Sequence, residues 1–353
     1  MSKFIILCLL FIAWQPVAAT RYFDATEFTI LGKVSAANPG FSRIDISRFP
    51  KQGNTITKYA GFSTGVAVLF ETDSPYIKAR WRNRYKSEGL NTTPLMQSGL
   101  DLYIERDGEW IHAGVGLPTD SLFAEHTLVE KMDGYKHTCM LYLPLWNEIE
   151  ELSIGISGSA HINAIESPYK KKIAFVGSSI THGASASRPG LAFPARIGRA
   201  LHAEALNLGF AGVCKLDDFY ADLIICTDAD VFVIDAFSNP SAEQIRKRLP
   251  HFISRIRKKK KDVPLIFLQT LERETGNFNL KKSNEEKWKR IAAEEGMKQV
   301  MKKDPNIYFI NPGMPLGETH DRTVDGVHPN DAGFESIVSN LFPTLISIIP
   351  TER

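Results

Sequence analysis

From Ile173 onward the chain alternates short, wholly apolar runs with longer amphipathic ones, and this rhythm restricts its fold more than any other feature. The apolar runs are Ile173–Val176, Ala205–Leu208, Val231–Ile234, Leu265–Leu268 and Ile307–Ile310. Each is short and continuous, as expected of a strand covered on both faces. Between them lie helical periods near Phe193–Leu201, Leu216–Cys226, Ala242–Lys258 and Ser283–Lys302, with a last one from Asp331. Such alternation predicts a parallel sheet with helices on both faces, a three-layer α/β/α domain.

The preceding residues read differently. Ile44-Asp45-Ile46, Gly65–Phe70, Tyr76–Trp81, Leu100–Glu105, His137–Leu143 and Leu152–Ile156 are short β-type runs. Turn signals such as Asn38-Pro39-Gly40, Asp107-Gly108 and Asp133-Gly134 punctuate them. With no long helical period among them, they predict an antiparallel β-sandwich of jelly-roll type. The character changes at Ser167-Pro168-Tyr169-Lys170-Lys171-Lys172, which divides the chain into a sandwich over residues 20–168 and an α/β domain over residues 169–353. Residues 1–19 read as an export signal: Lys3 is the positive start, Phe4–Ala13 the apolar stretch, and Val17-Ala18-Ala19 the small-residue cleavage site. That stretch is too short to span a bilayer and no other run is long enough. The mature protein is therefore expected to be exported, to a periplasm or the extracellular space, without a membrane span.

Bulk properties exclude several classes. A formal net charge of +2 creates no field for nucleic acid, and the block Lys258–Lys261 reads as the solvated end of a helix, where cations suit the dipole. Cys139, Cys214 and Cys226 remain after the signal, an odd number that makes no complete disulfide framework. No CxxC pair or Cys/His cluster suggests a metal, and no cofactor is expected.

In parallel α/β sheets, ligands bind beyond the carboxyl ends of the strands. Gly177-Ser178-Ser179, Asn207-Leu208-Gly209-Phe210-Ala211-Gly212 and Asp235-Ala236-Phe237-Ser238-Asn239 follow the first three strands, and Asp325-Gly326-Val327-His328 follows the fifth. Singly, a Gly-Ser-Ser turn is a helix cap and an Asp-Gly-x-His run a loop. Together they bring a serine, an acid and a histidine to one edge of a sheet. A serine hydroxyl needs a base to take its proton and an acid to orient that base. Ser179 is then the nucleophile, His328 the base and Asp325 its orienting acid. The Ser179 and Gly212 backbone N–H groups and the Asn239 amide are the donors of an oxyanion hole.

These residues resemble the SGNH (GDSL-like) hydrolase family, named for four blocks carrying Ser, Gly, Asn and His. Gly177-Ser178-Ser179-Ile180-Thr181, Asn207–Gly212, Asn239 and Asp325-Gly326-Val327-His328-Pro329 match those blocks, over a stretch from about Lys172 to the C-terminus. Two positions depart from the family pattern. Ser178 stands where an acid usually precedes the nucleophile, and Phe237-Ser238-Asn239-Pro240 replaces Gly-x-Asn-Asp. Gly99-Leu100-Asp101-Leu102-Tyr103 and Arg188-Pro189-Gly190 resemble the subgroup whose hydrolase domain follows a β-rich domain bearing Gly-x-Asp-Leu-Tyr. The resemblance implies a flavodoxin-like SGNH domain, a serine mechanism without metal or organic cofactor, and esterase chemistry. The expected substrate is a small-molecule or carbohydrate ester, with an acyl or acetyl group on a carbohydrate preferred.

Further residues are expected near the substrate. His182 lies one helical turn from Ser179, Phe210 and Phe237 flank the donors, Arg188 sits in a loop, and Glu272 and Arg273 follow the fourth strand. Two rival readings stay open: an acyltransferase using the same triad, and a glycan-binding protein with a vestigial hydrolase domain. A metal-dependent enzyme using His182, His328 and Asp325 is a remote third. Acyl length, alcohol and oligomeric state are not legible.

Overall fold

The computed structural model describes residues 19–86, 89–119, 121–311 and 319–349. All of the export-signal segment but Ala19 lies outside the described residues. None of their helices is long and apolar enough to cross a membrane.

The first half of the chain is antiparallel. Its strands are β1 (Thr20–Asp24), β2 (Thr29–Leu31), β3 (Ala67–Thr72), β4 (Tyr76–Asn83), β5 (Leu100–Arg106), β6 (Glu109–Gly116), β7 (Phe123–Glu130), β8 (His137–Tyr142), β9 (Ile149–Ser157) and β10 (Ile162–Ala164). One sheet runs β1-β9-β4-β7 and the other β10-β3-β8-β5-β6, with β2 also pairing β3. Alternate residues of β4 point inward: Ile77, Ala79 and Trp81 are fully buried, while Arg80 is exposed. They meet Val68, Phe70, Leu102 and Leu141 of the opposing sheet in one core. This is the expected β-sandwich. Trp81 belongs to its interior, with the indole N–H donating to the Ser98 carbonyl at 2.9 Å.

Beyond it, β11 (Lys172–Gly177), β12 (Glu204–Gly209), β13 (Val231–Asp235), β14 (Leu265–Leu268) and β15 (Ile307–Ile310) form a parallel sheet in the order β12-β11-β13-β14-β15. That is the flavodoxin-like order, with the switch in direction between β11 and β13. Helices α4 (Phe193–Ala200), α5 (Asp218–Cys226), α6 (Ala242–Arg257), α7 (Leu280–Met301) and α8 (Asp331–Ile348) cover it. Alternate strand residues feed two separate cores: Ala174, Val176, Leu206 and Leu208 lie in one, Ile173, Phe175, Val231 and Val233 in the other. Burial on both faces explains why these strands read as continuous apolar runs.

Two expectations need correction. Ile44-Asp45-Ile46 is not a strand of the sandwich. Asp45 accepts from the Ser47 N–H at 3.1 Å and caps a short 3-10 helix, Ile46–Arg48, a local bond that competes with sheet pairing. The stretch also contains a helix, α1 (Asn54–Gly61), and a shorter one, α2 (Pro94–Ser98). Ile44 and Ala60 pack with Leu216, Phe219 and Tyr220 of the α/β half, so this segment serves the second core.

The two halves therefore share a seam. Met96 of α2 and Leu145 pack with Phe193 and Ile197 of α4. Arg43, fully buried, donates to the carbonyls of Tyr59, Asn207 and Gly209, each at 2.8 Å. Asp101, also fully buried, accepts from Arg188 Nη1 at 2.7 Å and from the Gly190 N–H at 2.8 Å. The Tyr103 hydroxyl lies 2.7 Å from the same guanidinium. The Gly-x-Asp-Leu-Tyr signature and the Arg-Pro-Gly loop are thus two sides of one polar contact. Removing one partner of a buried pair strands the other charge, at a cost of about 3–5 kcal/mol. Asp101→Ala should lower the unfolding free energy measured in urea by that amount; an unchanged value would show that the seam does not depend on this pair.

Candidate active site

The site is assembled at the carboxyl edge of the parallel sheet. Gly177 pairs with Gly209 on one side and Asp235 on the other, so the turns after β11, β12 and β13 begin at the same level. Ser178 caps a four-residue helix, α3 (Ser179–His182), by accepting from the Ile180 N–H at 3.1 Å. Ser179 is its first helical residue, so its backbone N–H has no intrahelical acceptor. Gly209 is needed for the close approach of β12: a Cβ there would sit 2.1 Å from the His182 nitrogen. Asp235 is buried and accepts from Ser178 Oγ at 2.5 Å, Thr181 Oγ1 at 3.1 Å and Ser238 Oγ at 2.8 Å. Burial pushes this carboxyl above the usual range, against the pull of those hydroxyls. Ser178, standing where the family pattern has an acid, thus meets a carboxylate from the next strand.

His328 arrives on a tight loop. Thr323 bridges Pro329, the Val324 N–H donates to the His328 carbonyl at 2.9 Å, and Asn330 then caps α8. Inside the loop, Asp325 Oδ1 accepts from the Val327 and His328 N–H groups at 3.0 and 2.8 Å. Its Oδ2 lies 2.7 Å from His328 Nδ1. An ionised carboxylate can only accept, so Nδ1 carries the proton and Nε2 is the free acceptor. Ser179 Oγ is 2.9 Å from Nε2. Burial pushes Asp325 up, but the backbone N–H of His328, its ring and the Asn91 amide outweigh that and hold the carboxyl down at about 2.

Ser179, His328, Gly212 and Asn239 line one cleft of about 450 Å³. Gly212 has φ +74, and nothing lies within 4 Å of where its Cβ would be. Asn239 Nδ2 is buried with no acceptor among the described residues, a costly state for an amide donor. Ala184, Ala211, Val327 and Arg273 form further wall. Gly89, Asn91, Thr92 and Trp146, all from the sandwich half, complete it. The Asn91 side chain donates to Asp325 Oδ2 at 2.7 Å. Asn91 and Trp146 carried no sequence signal of this role; Asn91 showed only the Asn-x-Thr pattern of a glycosylation acceptor.

Most of the expected substrate contacts lie elsewhere. His182 is fully buried, with Nε2 2.8 Å from the Leu145 carbonyl and its ring stacked 4.0 Å from Trp146. Burial drives its pKa well down, so it stays neutral and props Trp146 rather than touching the cleft. Phe210 and Phe237 are fully buried core residues. Arg188 belongs to the Asp101 seam. Glu272 pairs with Arg290 at 2.5 Å in a neighbouring hollow. Its neighbour Arg273 does reach the cleft and donates to the Ser238 carbonyl at 2.7 Å. No group of three or more His, Cys, Asp or Glu that could hold a metal occurs among the described residues.

A hydroxyl held on an imidazole that is oriented by a carboxylate can lose its proton as it attacks a carbonyl carbon. Residues 170–346 match the GDSL-like lipase/acylhydrolase family. The chain belongs to that family. Residues 20–162 match the GxDLY N-terminus of SGNH-hydrolase-type esterases. Membership makes the protein a carboxylic ester hydrolase of the SGNH type. Among solved structures, one described as a GDSL-like lipase from Bacteroides ovatus is 41% identical, with a TM-score of 0.90 over 94% of this chain and 98% of that one. The salicylyl-acyltransferase SsfX3 of a tetracycline biosynthetic pathway is 19% identical, with a TM-score of 0.71 over 94% and 99%. An acetyl xylan esterase from the rumen bacterium Butyrivibrio proteoclasticus is 14% identical, with a TM-score of 0.58 over 95% and 100%. These last two share the two-part fold. No curated protein matches the chain.

Acid stability follows from the Asp325 contacts. Its folded value of about 2 lies below the ordinary 3.8, so its contribution to stability is complete above the ordinary value and drains away as pH falls toward about 2. Asp325→Asn should flatten the loss of unfolding free energy across that window; equal slopes for the two proteins would show that the carboxylate is not held as described.

Proposed function

We propose that the protein is an exported serine esterase that removes a short acyl group, acetyl foremost, from a carbohydrate or another polar alcohol. The hydrogen-bonded line from Asp325 through His328 to Ser179 carries this reading. Ser179 Oγ attacks the ester carbonyl while His328 Nε2 takes its proton. The oxyanion is met by the Ser179 and Gly212 N–H groups and the Asn239 amide. His328 returns the proton to the departing alcohol, leaving an acyl-enzyme. Water deprotonated by His328 then releases the acid.

The substrate preference rests on the walls of the cleft. Ala184 and Ala211 are small, and the remaining side chains of the lining are two amides, two hydroxyls, an imidazole and a guanidinium with one tryptophan ring and one valine. Such a surface suits a short acyl group and a polyhydroxyl alcohol better than a fatty chain. The His328 and Asp325 side chains retain 20% and 30% exposure, which leaves water the path to the base that hydrolysis needs. The likeness to an acyltransferase keeps transfer as the alternative, which product analysis with an added sugar acceptor would reveal.

The reading is tested by acetate release from p-nitrophenyl acetate and from an acetylated sugar. Ser179→Ala should abolish both without unfolding the protein; undiminished hydrolysis would sink the mechanism. Asn239→Ala should lower kcat about 10²–10³-fold with KM little changed, the usual cost of one oxyanion donor. A rise in KM alone would assign Asn239 to ground-state binding instead.

A further inference from the structure

The geometry points to Asn91, carried by the sandwich half, as a positioning residue that completes the Ser179–His328–Asp325 line. This inference rests on the esterase reading and deepens it. The two oxygens of Asp325 are served differently. Oδ1 takes two backbone N–H groups from its own loop, whereas Oδ2 takes the His328 ring and the Asn91 amide. A carboxylate with one oxygen fixed can still rotate the other; two donors converging on Oδ2 define where it stands and hence the plane of the imidazole. Asn91 Nδ2 lies 3.4 Å from His328 Nδ1, so the two donors sit side by side against the same oxygen. The orientation of the amide is chemically forced, since its oxygen would repel the carboxylate.

The backbone of Asn91 is itself held from the other domain. Its carbonyl accepts from Ser185 Oγ at 2.8 Å, and Thr93 Oγ1 donates to the Ser187 carbonyl at 2.8 Å. The Ser187 N–H donates to Asp331 Oδ1, at the start of the helix that follows His328, at 3.0 Å. From within the sandwich half, the buried Gln97 donates to Thr92 Oγ1 at 2.6 Å. The loop leaving α3, the loop bearing Asn91 and the start of α8 are therefore tied into one ring of bonds around the site. The α/β half alone supplies the serine, histidine and aspartate. Among the described residues, the second donor to Asp325 Oδ2, beside the His328 ring, comes from the sandwich.

Two consequences separate this role from simple packing. Without Asn91 the carboxylate is less well oriented, which lowers turnover more than binding. It also has one donor fewer, so it stabilises the imidazolium more strongly, and the acid limb of the rate profile moves to higher pH. The experiment is the pH dependence of p-nitrophenyl acetate hydrolysis for the full chain and for Asn91→Ala, Asn91→Asp and Ser179→Ala, with near-ultraviolet circular dichroism as the check on folding. Asn91→Ala should lower kcat about 10–100-fold with KM within about twofold, and shift the acid limb of kcat/KM upward. Asn91→Asp keeps the shape but sets a second carboxylate against the first, so both effects should be larger; it also serves if the alanine variant fails to fold. Wild-type turnover and profile in both variants would overturn the inference. So would lost turnover with an unmoved profile, the mark of a purely structural residue. Activity that needs Ser179 but ignores Asn91 would remove this inference and leave the esterase reading intact; activity that survives Ser179→Ala would remove both.

Discussion

The parallel register around β11 is the constraint on which the rest of the molecule hangs. With Gly177 level with Gly209 and Asp235, three strands end together, and whatever follows each is delivered to one place. The carboxylate of Asp235 then ties the turn after β11 to the turn after β13 through Ser178, Thr181 and Ser238. A slip of one residue would reverse the faces of the strand and dismantle both sheet cores. The cores on the two sides of the sheet thus protect the geometry of the edge.

The seam between the halves is unusual in its charges. Arg43 is fully buried and donates to carbonyl oxygens, two of them on the Asn207–Gly209 segment that leads to Gly212. Burial pulls its pKa down to about 9. Buried ionic groups seldom add net stability compared with apolar ones, but they tolerate very few arrangements. Arg43 and the Asp101–Arg188 pair therefore act by fixing how the sandwich meets the hydrolase half. The apolar contacts of Ile44, Ala60, Met96 and Leu145 supply much of the adhesion, at about 1.5–3 kcal/mol for each fully buried large side chain. With that docking fixed, the loop from Gly89 to Thr92 and the Trp146 ring become walls of the cleft.

His182 illustrates how the same docking changes the meaning of a residue. Its place one turn from Ser179 suggests chemistry. The neighbouring half covers it with Trp146 and takes its ring nitrogen with the Leu145 carbonyl. A histidine so enclosed is neutral and structural, and its effect on the cleft passes through the tryptophan it supports.

The sequence by itself determined the parallel sheet, its helices and the sandwich, because burial on two faces or one leaves a period that a linear reading can detect. It also determined that the Ser179, Gly212, Asn239 and Asp325–His328 segments share an edge, because strand ends in such sheets emerge together. The loop nature of Ile44–Ile46, the burial of Phe210 and Phe237, and the seam role of Arg188 were decided only in three dimensions. So were the places of Asn91 and Trp146 beside Ser179. Apart from the local Asp45 cap, each depends on tertiary packing, and a contact between residues 234 positions apart, such as Asn91 with Asp325, leaves no local period or spacing in the chain.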